Sequence, residues 1–502
     1  MAILRYTASA DTTITNAFEA NLLTRGTGSN MGYADSVEIF SIYGQQSGST
    51  DGQSQEISRA LVQFPINEVS ADRTAGTVPA SGSVSFYLKM YNAEHPFTLP
   101  QDFNLVVAPV SQSWSEGTGL DMDEYKDLGS SNWINANSTT AWTNIGGDYL
   151  SNNNENISFP LGYENIELDV TDIVEHWIKG DAGGSYDNYG FGIRLTASQE
   201  GYYSSSTGAD AGSLIHNPAG ATESYYTKKF FSRSTEFFFR RPTIEARWDS
   251  SLNDDRNYFF YSSSLAPAED NLNTLYLYNY IRGKLVNIPA VGTGEILVSI
   301  YSGSTAPTGS KILLWDGLTN VTGGYVSTGI YSASMALTAA ATPLERVYDV
   351  WHSSSVEYYT GSLDPVVIPT YSSAPTFKKV TKITNLRKSY SQSEVARFRM
   401  FVRDRDWSPT VYTVATATNP TDIIVSGAYS IVRVADDLSV VAYGTGSDRH
   451  TQLSFDGDGN YFDFDIGMLE ADYMYKIKLV YYNDSISSWI EQPYEFKFRV
   501  EA

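Results

Sequence analysis

The residues of this chain best suited to contact a ligand are three indoles in one polar stretch. Trp114, Trp133 and Trp142 stand with Tyr125 and Tyr149 among Asn, Gly and Asp between Ser113 and Tyr163. An indole face beside amides and carboxylates offers a sugar ring an apolar platform and directional hydrogen bonds. An excursion of about fifty residues on a β-framework also folds down on itself, and large aromatics are what hold it there. Packing is the favoured reading, with contact to a host surface glycan through Trp114, Trp133 and Trp142 as the chief alternative.

A second candidate is electrostatic. Lys378, Lys379, Lys382, Arg387, Lys388, Arg397, Arg399, Arg403 and Arg405 face only Glu394 and Asp404 in the one basic stretch of the chain. In a protein of net charge -23 such a run suits docking on an acidic partner. Strand alternation explains it equally well, because Arg397, Arg399 and Arg403 fall opposite Phe398, Met400 and Val402. Arg397, Arg399, Arg403 and Arg405 are the docking candidates.

Other chemistry finds little footing. Asp456-Gly-Asp458-Gly-Asn460 starts like a calcium loop, yet Tyr461 and Gly467 stand where that loop needs a glycine and a bidentate acid. With Phe455, Phe462 and Phe464 around it, the run reads as a hairpin turn. No serine occupies a G-x-S-x-G elbow, and Gly303 to Lys311 departs from a phosphate loop in spacing and at Pro307. Gly26 to Gly32 is one residue too long for G-x-G-x-x-G. The five histidines include no local ligand pair, and His176 reads as the rim of a short helix. The acid clusters Asp121 to Glu124 and Asp169 to Asp172 read as a solvated loop and a helix cap. No catalytic residue, cofactor or metal is expected, and the chain reads as a non-enzyme.

Composition bounds what must position these groups. At ~150 residues per domain, the 502 residues hold about three domains. The net charge disfavours binding to nucleic acid. The absence of cysteine removes disulfides, thiolate metal sites and thiol nucleophiles together. Thr7 interrupts the N-terminus before an apolar signal core can form, so synthesis in a host cytoplasm without export is expected. Gly317 to Leu344 is long and uncharged but crowded with Gly, Ser and Thr, so no membrane insertion is expected.

Period-two alternation dominates. Val84, Phe86, Leu88 and Met90 form one face of a strand, as do Tyr475, Ile477, Leu479 and Tyr481, and then Tyr494, Phe496, Phe498 and Val500. One helix stands out over about Val170 to Lys179, with Asp169 as its cap and Gly180 as its stop. Polar residues after Trp248 and the proline-spaced run Pro365 to Pro375 mark boundaries, giving segments 1–249, 250–374 and 375–502. Their acid and base counts are 30 and 14, 10 and 5, and 17 and 15, so the acidity sits in the first.

Ala10 to Ile14, Asn30 to Tyr33, Ser58 to Pro65, Ser113 to Glu116, Leu168 to Trp177, Tyr189-Gly190, and Phe231 to Arg247 recur in an ordered series. Through them the first 249 residues resemble the DNRLRE-type domain, a jelly roll similar to carbohydrate-binding modules and common in surface and virion proteins. Val395 to Pro409 and Glu491 to Val500 resemble a C-terminal β-domain of structural proteins from large tailed bacteriophages. Residues 250–374 suggest a generic immunoglobulin-like sandwich. The expected architecture is all-β: an N-terminal jelly roll followed by two immunoglobulin-like β-sandwiches. The resemblances imply a structural or decoration protein of a tailed-phage virion, in contact with other virion proteins through residues 375–502. Exposed strand edges make a homo-oligomer plausible.

Overall fold

The computed structural model describes residues 2–44, 54–95, 102–121, 128–180, 187–204, 212–267, 269–338, 342–368, 378–407 and 421–502. Tyr125, residues 122–124 of the first acid cluster and most of the proline-spaced run lie outside them. The architecture is all-β, built as tandem β-sandwiches. The chain divides after Trp248 into two compact units, Ala2–Trp248 and Asp249–Ala502.

In the first unit, alternating strands build two sheets. The strands are β1 (Ile3–Thr7), β2 (Ala10–Thr15), β3 (Ser36–Gly44), β4 (Ser54–Gln63), β5 (Ser85–Met90), β6 (Phe103–Pro109), β7 (Glu155–Phe159), β8 (Ile166–Asp169), β9 (Phe191–Leu195), β10 (Tyr225–Phe231) and β11 (Thr243–Arg247). Four of them form one sheet in the order β1-β11-β5-β8. The other sheet has seven strands, ordered β10-β3-β4-β9-β6-β7 with β2 also paired to β4. Phe86, Leu88 and Met90 of the small sheet meet Ala60, Val62, Phe191 and Ile193 of the large one in a buried core. This is the ordinary use of period-two patterning, with one face in and one face out.

The large sheet departs from that pattern because its other face is buried too. Ile57 and Leu61 of β4 point away from the main core into a second cluster with Ile14, Val110 and the three indoles. The excursion after β6 therefore forms a lid over the sheet. A strand covered on both sides loses clean apolar-polar alternation, and β4 accordingly reads Ile-Ser-Arg-Ala-Leu-Val from Ile57 to Val62.

Two helices border the main core. α2 (Thr171–Lys179) buries Ile173, Val174 and Trp177. Val170, not the expected Asp169, stands at the N-cap and makes no side-chain cap bond; Asp169, one residue earlier, accepts from the Thr171 amide at 2.9 Å, and Gly180 closes the helix at φ 57° as expected. The other, α1 (Ile66–Thr74), has no counterpart in the sequence reading. It buries only Ile66 and Val69, so it lacks the apolar stripe that marks an amphipathic helix.

The second unit carries two sets of strands. Residues 273–278, 330–335, 321–327, 296–302, 347–353 and 356–363 form a six-stranded antiparallel sheet in that order, around Leu275, Val298, Tyr331 and Trp351. The uncharged stretch after Gly317 supplies its hairpin Val321–Ser327 and Ile330–Met335. Further on, a four-stranded sheet orders Lys379–Ile383, Val395–Asp404, Gly459–Asp465 and Ser454–Asp456. It faces a six-stranded sheet centred on Met474–Asn483. Stacked rings fill the space between: Phe398 lies 5.0 Å from Phe462 and 5.9 Å from Phe498, and Tyr429 lies 4.0 Å from Phe462. The Asp456-Gly-Asp458-Gly run is a two-residue hairpin turn, with Asp456 paired to Gly459.

Buried ion pairs take the place that covalent cross-links hold in other small sandwiches. On the four-stranded sheet of the first unit, Glu245 Oε2 accepts from Arg5 Nε and its Oε1 from Arg247 Nε, each at 2.7 Å. Burial alone would raise this carboxyl, but the charges of Arg5, Lys89 and Arg247 override it and hold the group down at about 2. A carboxyl lowered on folding stabilises the protein above its unfolded value near 4.5. That stabilisation disappears as pH falls from there through about 2. Urea titrations of the first unfolding transition should show this loss. Glu245→Gln should cost about 3–5 kcal/mol at pH 7, since it removes the buried carboxylate that Arg5 and Arg247 share, and should flatten the acid dependence.

Candidate functional site

The three indoles come together, but as filling. Trp114, Trp133 and Trp142 are 8%, 0% and 5% exposed and lie in the cluster beneath the excursion. Each indole N–H is satisfied by a backbone carbonyl: Trp114 by Tyr189, Trp133 by Ser213 and Trp142 by Asn132, at 2.8 to 2.9 Å. Gly146, at φ 80°, makes room for one of them, since a Cβ there would approach Trp133 Cη2 to 2.8 Å. A ring with both faces packed and its N–H engaged presents nothing to a sugar. The glycan-platform reading of Trp114, Trp133 and Trp142 is corrected accordingly, and packing is the role the structure gives them.

Of the docking arginines, two are spoken for. The fork of Arg397 holds both oxygens of Asp463 at 2.7 and 2.8 Å, and Arg399 grips Asp456. Both stack on Tyr461, at 4.3 and 4.8 Å from its ring centre, and burial pushes that phenol up to about 12. Strand register makes these pairings, because Arg397 lies opposite Asp463 and Arg399 opposite Tyr461. The same sheet also meets the preceding segment, where Phe455 exchanges backbone bonds with Leu252 and Asp254 and the Tyr258 hydroxyl donates to Thr421 O. Arg397 and Arg399 therefore hold their own domain together, which corrects their assignment as docking residues. Arg403 donates to the backbone carbonyls of Asp404 and Arg405 and lies over the Trp407 ring, with no carboxylate partner among the described residues, and Arg405 is exposed. With exposed Lys382 on the neighbouring edge strand, they are the basic groups of this sheet that remain open to a partner.

The sequence reading missed one concave feature. A cleft of about 390 Å³ opens on the second face of the large sheet of the first unit, beside the excursion. Arg59, Tyr149, Arg194 and Glu200 line it, with Asn144 and His216 among the polar residues around them. Arg59 is buried and forks onto Glu200, Nε to Oε1 at 2.8 Å and Nη2 to Oε2 at 2.7 Å, while Nη1 donates to Gly146 O at 2.9 Å. The Tyr149 ring lies between the two arginines, 5.7 Å from Arg59 and 5.5 Å from Arg194. Its position depends on Gly192, where a Cβ would come within 1.9 Å of the ring. The only sequence signal for this site is a pair of arginines in the middle of otherwise apolar strands.

Among the described residues, no group of three or more His, Asp or Glu side chains is placed to hold a metal ion. No helix among them is long and apolar enough to cross a membrane. No protein-family model and no curated protein matches the chain. Among solved structures, the N-terminal Ig1-2 module of the Drosophila receptor protein tyrosine phosphatase DLAR is 9% identical. That similarity covers 46% of this chain and 91% of the module, with a TM-score of 0.14. The IG1 and IG2 domains of DIP-gamma are also 9% identical, over 46% of this chain and 90% of theirs, with a TM-score of 0.12.

The packing role of the indoles is measurable. Trp133→Ala should lower the stability of the first unit by about 3–5 kcal/mol in urea unfolding followed by far-ultraviolet circular dichroism. A loss below about 1 kcal/mol would mean that the ring is dispensable to the fold.

Proposed function

We propose that this protein is a non-enzymatic structural or decoration protein of a tailed-phage virion, docked through residues 375–502. The observation that carries this reading is how the chain holds itself together. Without cysteine, each unit is closed by buried arginine–carboxylate forks that join strands far apart in sequence, such as Arg59 with Glu200 and Arg256 with Asp349. Such pairs need no oxidising compartment, so they suit a protein that folds in a reducing cytosol and then persists outside the cell. The likeness of the first 249 residues to DNRLRE-type domains, and of the C-terminal residues to phage structural proteins, points the same way. The charge split supports the orientation, because the C-terminal segment is nearly neutral and keeps Lys382, Arg403 and Arg405 exposed or half-exposed on one sheet. Those cations suit an acidic neighbour in the particle.

Two measurements test the reading. Gold-conjugated antibody against residues 2–248 should label purified particles of the phage encoding the chain at a defined place. Absence of label, together with absence of the protein from particle mass spectra, would overturn the virion assignment. The double variant Arg403→Glu with Arg405→Glu should fold normally, because neither guanidinium is paired with a carboxylate among the described residues, and should be lost from particles. Wild-type incorporation of that variant would move docking elsewhere.

A further inference from the structure

We propose that the cleft beside Arg194 is an anion-binding site that takes a carboxylate or phosphate group of a small polar ligand. Ala60 of β4 pairs with Ile193 of β9, which sets Arg59 and Arg194 one step further along on the same face of adjacent strands. Like charges in that relation repel, and a fold tolerates them only with compensating anions. Among the described residues Glu200 is the one carboxylate lining the cleft, and Arg59 takes both of its oxygens. Among the described residues Arg194 has no ion pair, and its buried Nε has no hydrogen-bond partner.

The surroundings of Arg194 favour an incoming anion. Its neighbour on the other side is apolar, with Val106 directly opposite on β6. Burial and the Arg59 charge both work against its protonated form, more than Glu200 and Tyr149 offset. An anion at the terminal guanidinium nitrogens would relieve that imbalance. The cleft is large enough for a small organic molecule around the anionic group, and Asn144, Ser151 and His216 place polar groups on its wall. This site is independent of the docking sheet in the other unit and does not rest on the virion reading.

The test uses the full chain and differential scanning calorimetry. Sodium acetate and inorganic phosphate are titrated separately, against sodium chloride at matched ionic strength and against acetamide, the uncharged analogue of acetate. A saturable rise in a melting midpoint is expected with at least one of the two anions and not with acetamide. A response to acetate alone identifies a carboxylate site, and a response to phosphate alone a phosphate site. A response to both identifies an oxyanion site that does not discriminate. Arg194→Gln should abolish the saturable rise, while Arg346→Gln, at an exposed pair in the other unit, should keep it. Arg194→Gln should also melt no lower than wild type without added anion, since it removes an uncompensated charge. The proposal is overturned by the absence of a saturable rise with either anion, by an equal rise with acetamide, or by an unchanged response in Arg194→Gln. A lower anion-free midpoint for that variant would likewise overturn it, because Arg194 would then already have its counter-charge.

Discussion

A guanidinium at the centre of a sheet that is covered on both faces constrains most of the first unit. Arg59 sits on the second face of β4, where the excursion excludes water. Its charge has to be answered from within the protein. Two parts of the chain converge on it: Glu200 from the turn after β9, and the excursion, which brings Gly146 O and the rings of Trp133 and Tyr149. Glu200 is in turn fixed by its amide on Thr196 O and by Asn217 Nδ2 on its own carbonyl. Removing any one of these would leave a buried charge or an unfilled space, so the lid, the sheet and the following turn are held as one arrangement.

The second unit uses the same device at a different depth. Asp349, fully buried, accepts both terminal nitrogens of Arg256 at 2.7 and 2.8 Å, and its Oδ2 also accepts from Trp351 Nε1. Arg397 and Arg399 repeat the fork nearer the surface, where solvent weakens each pair but two guanidinia share one tyrosine ring. Arginine suits this task because its planar fork satisfies both carboxylate oxygens at once, which fixes register as well as charge. A chain without cysteine thereby gains cross-links between strands far apart in sequence, such as Arg5 and Glu245 at the two ends of the first unit.

Half-buried strands were readable directly. The alternation of Val84 to Met90 and of Tyr494 to Val500 was legible because each strand has one wet face, and the Asp-Gly turn at 456–459 was legible from its turn residues. Strands wet on neither face were not. Lys228 illustrates why: it lies within the polar-looking strand β10, yet its ammonium is buried over Phe159 and Phe230 and donates to Asn92 Oδ1 and Glu164 O. Nothing in local sequence distinguishes that lysine from a solvated one, because its acceptors come from loops 64 and 136 residues away. The basic run at 378–405 misled in the opposite sense. Its counter-charges Asp456 and Asp463 belong to a hairpin more than fifty residues downstream, so the stretch looked unneutralised only in one dimension.

Arg194 differs from Arg59 in standing without a carboxylate partner among the described residues. The chain holds 57 acids against 34 bases, so a missing carboxylate at Arg194 does not arise from scarcity. It arises from geometry. The face of the sheet that carries Arg59 and Arg194 is roofed by an excursion whose Asp148 is committed to the amides of Thr143 and Asn144 and whose Glu116 is committed to Arg233. Gly192 keeps the space beside Arg194 for the Tyr149 ring, which turns its π-face to both arginines but carries no charge. A second acid at Asn144 or Ser151 would have closed the imbalance with ordinary side chains. The cleft instead retains a net positive lining inside a protein of strongly negative charge, a local inversion that draws an anion to this place.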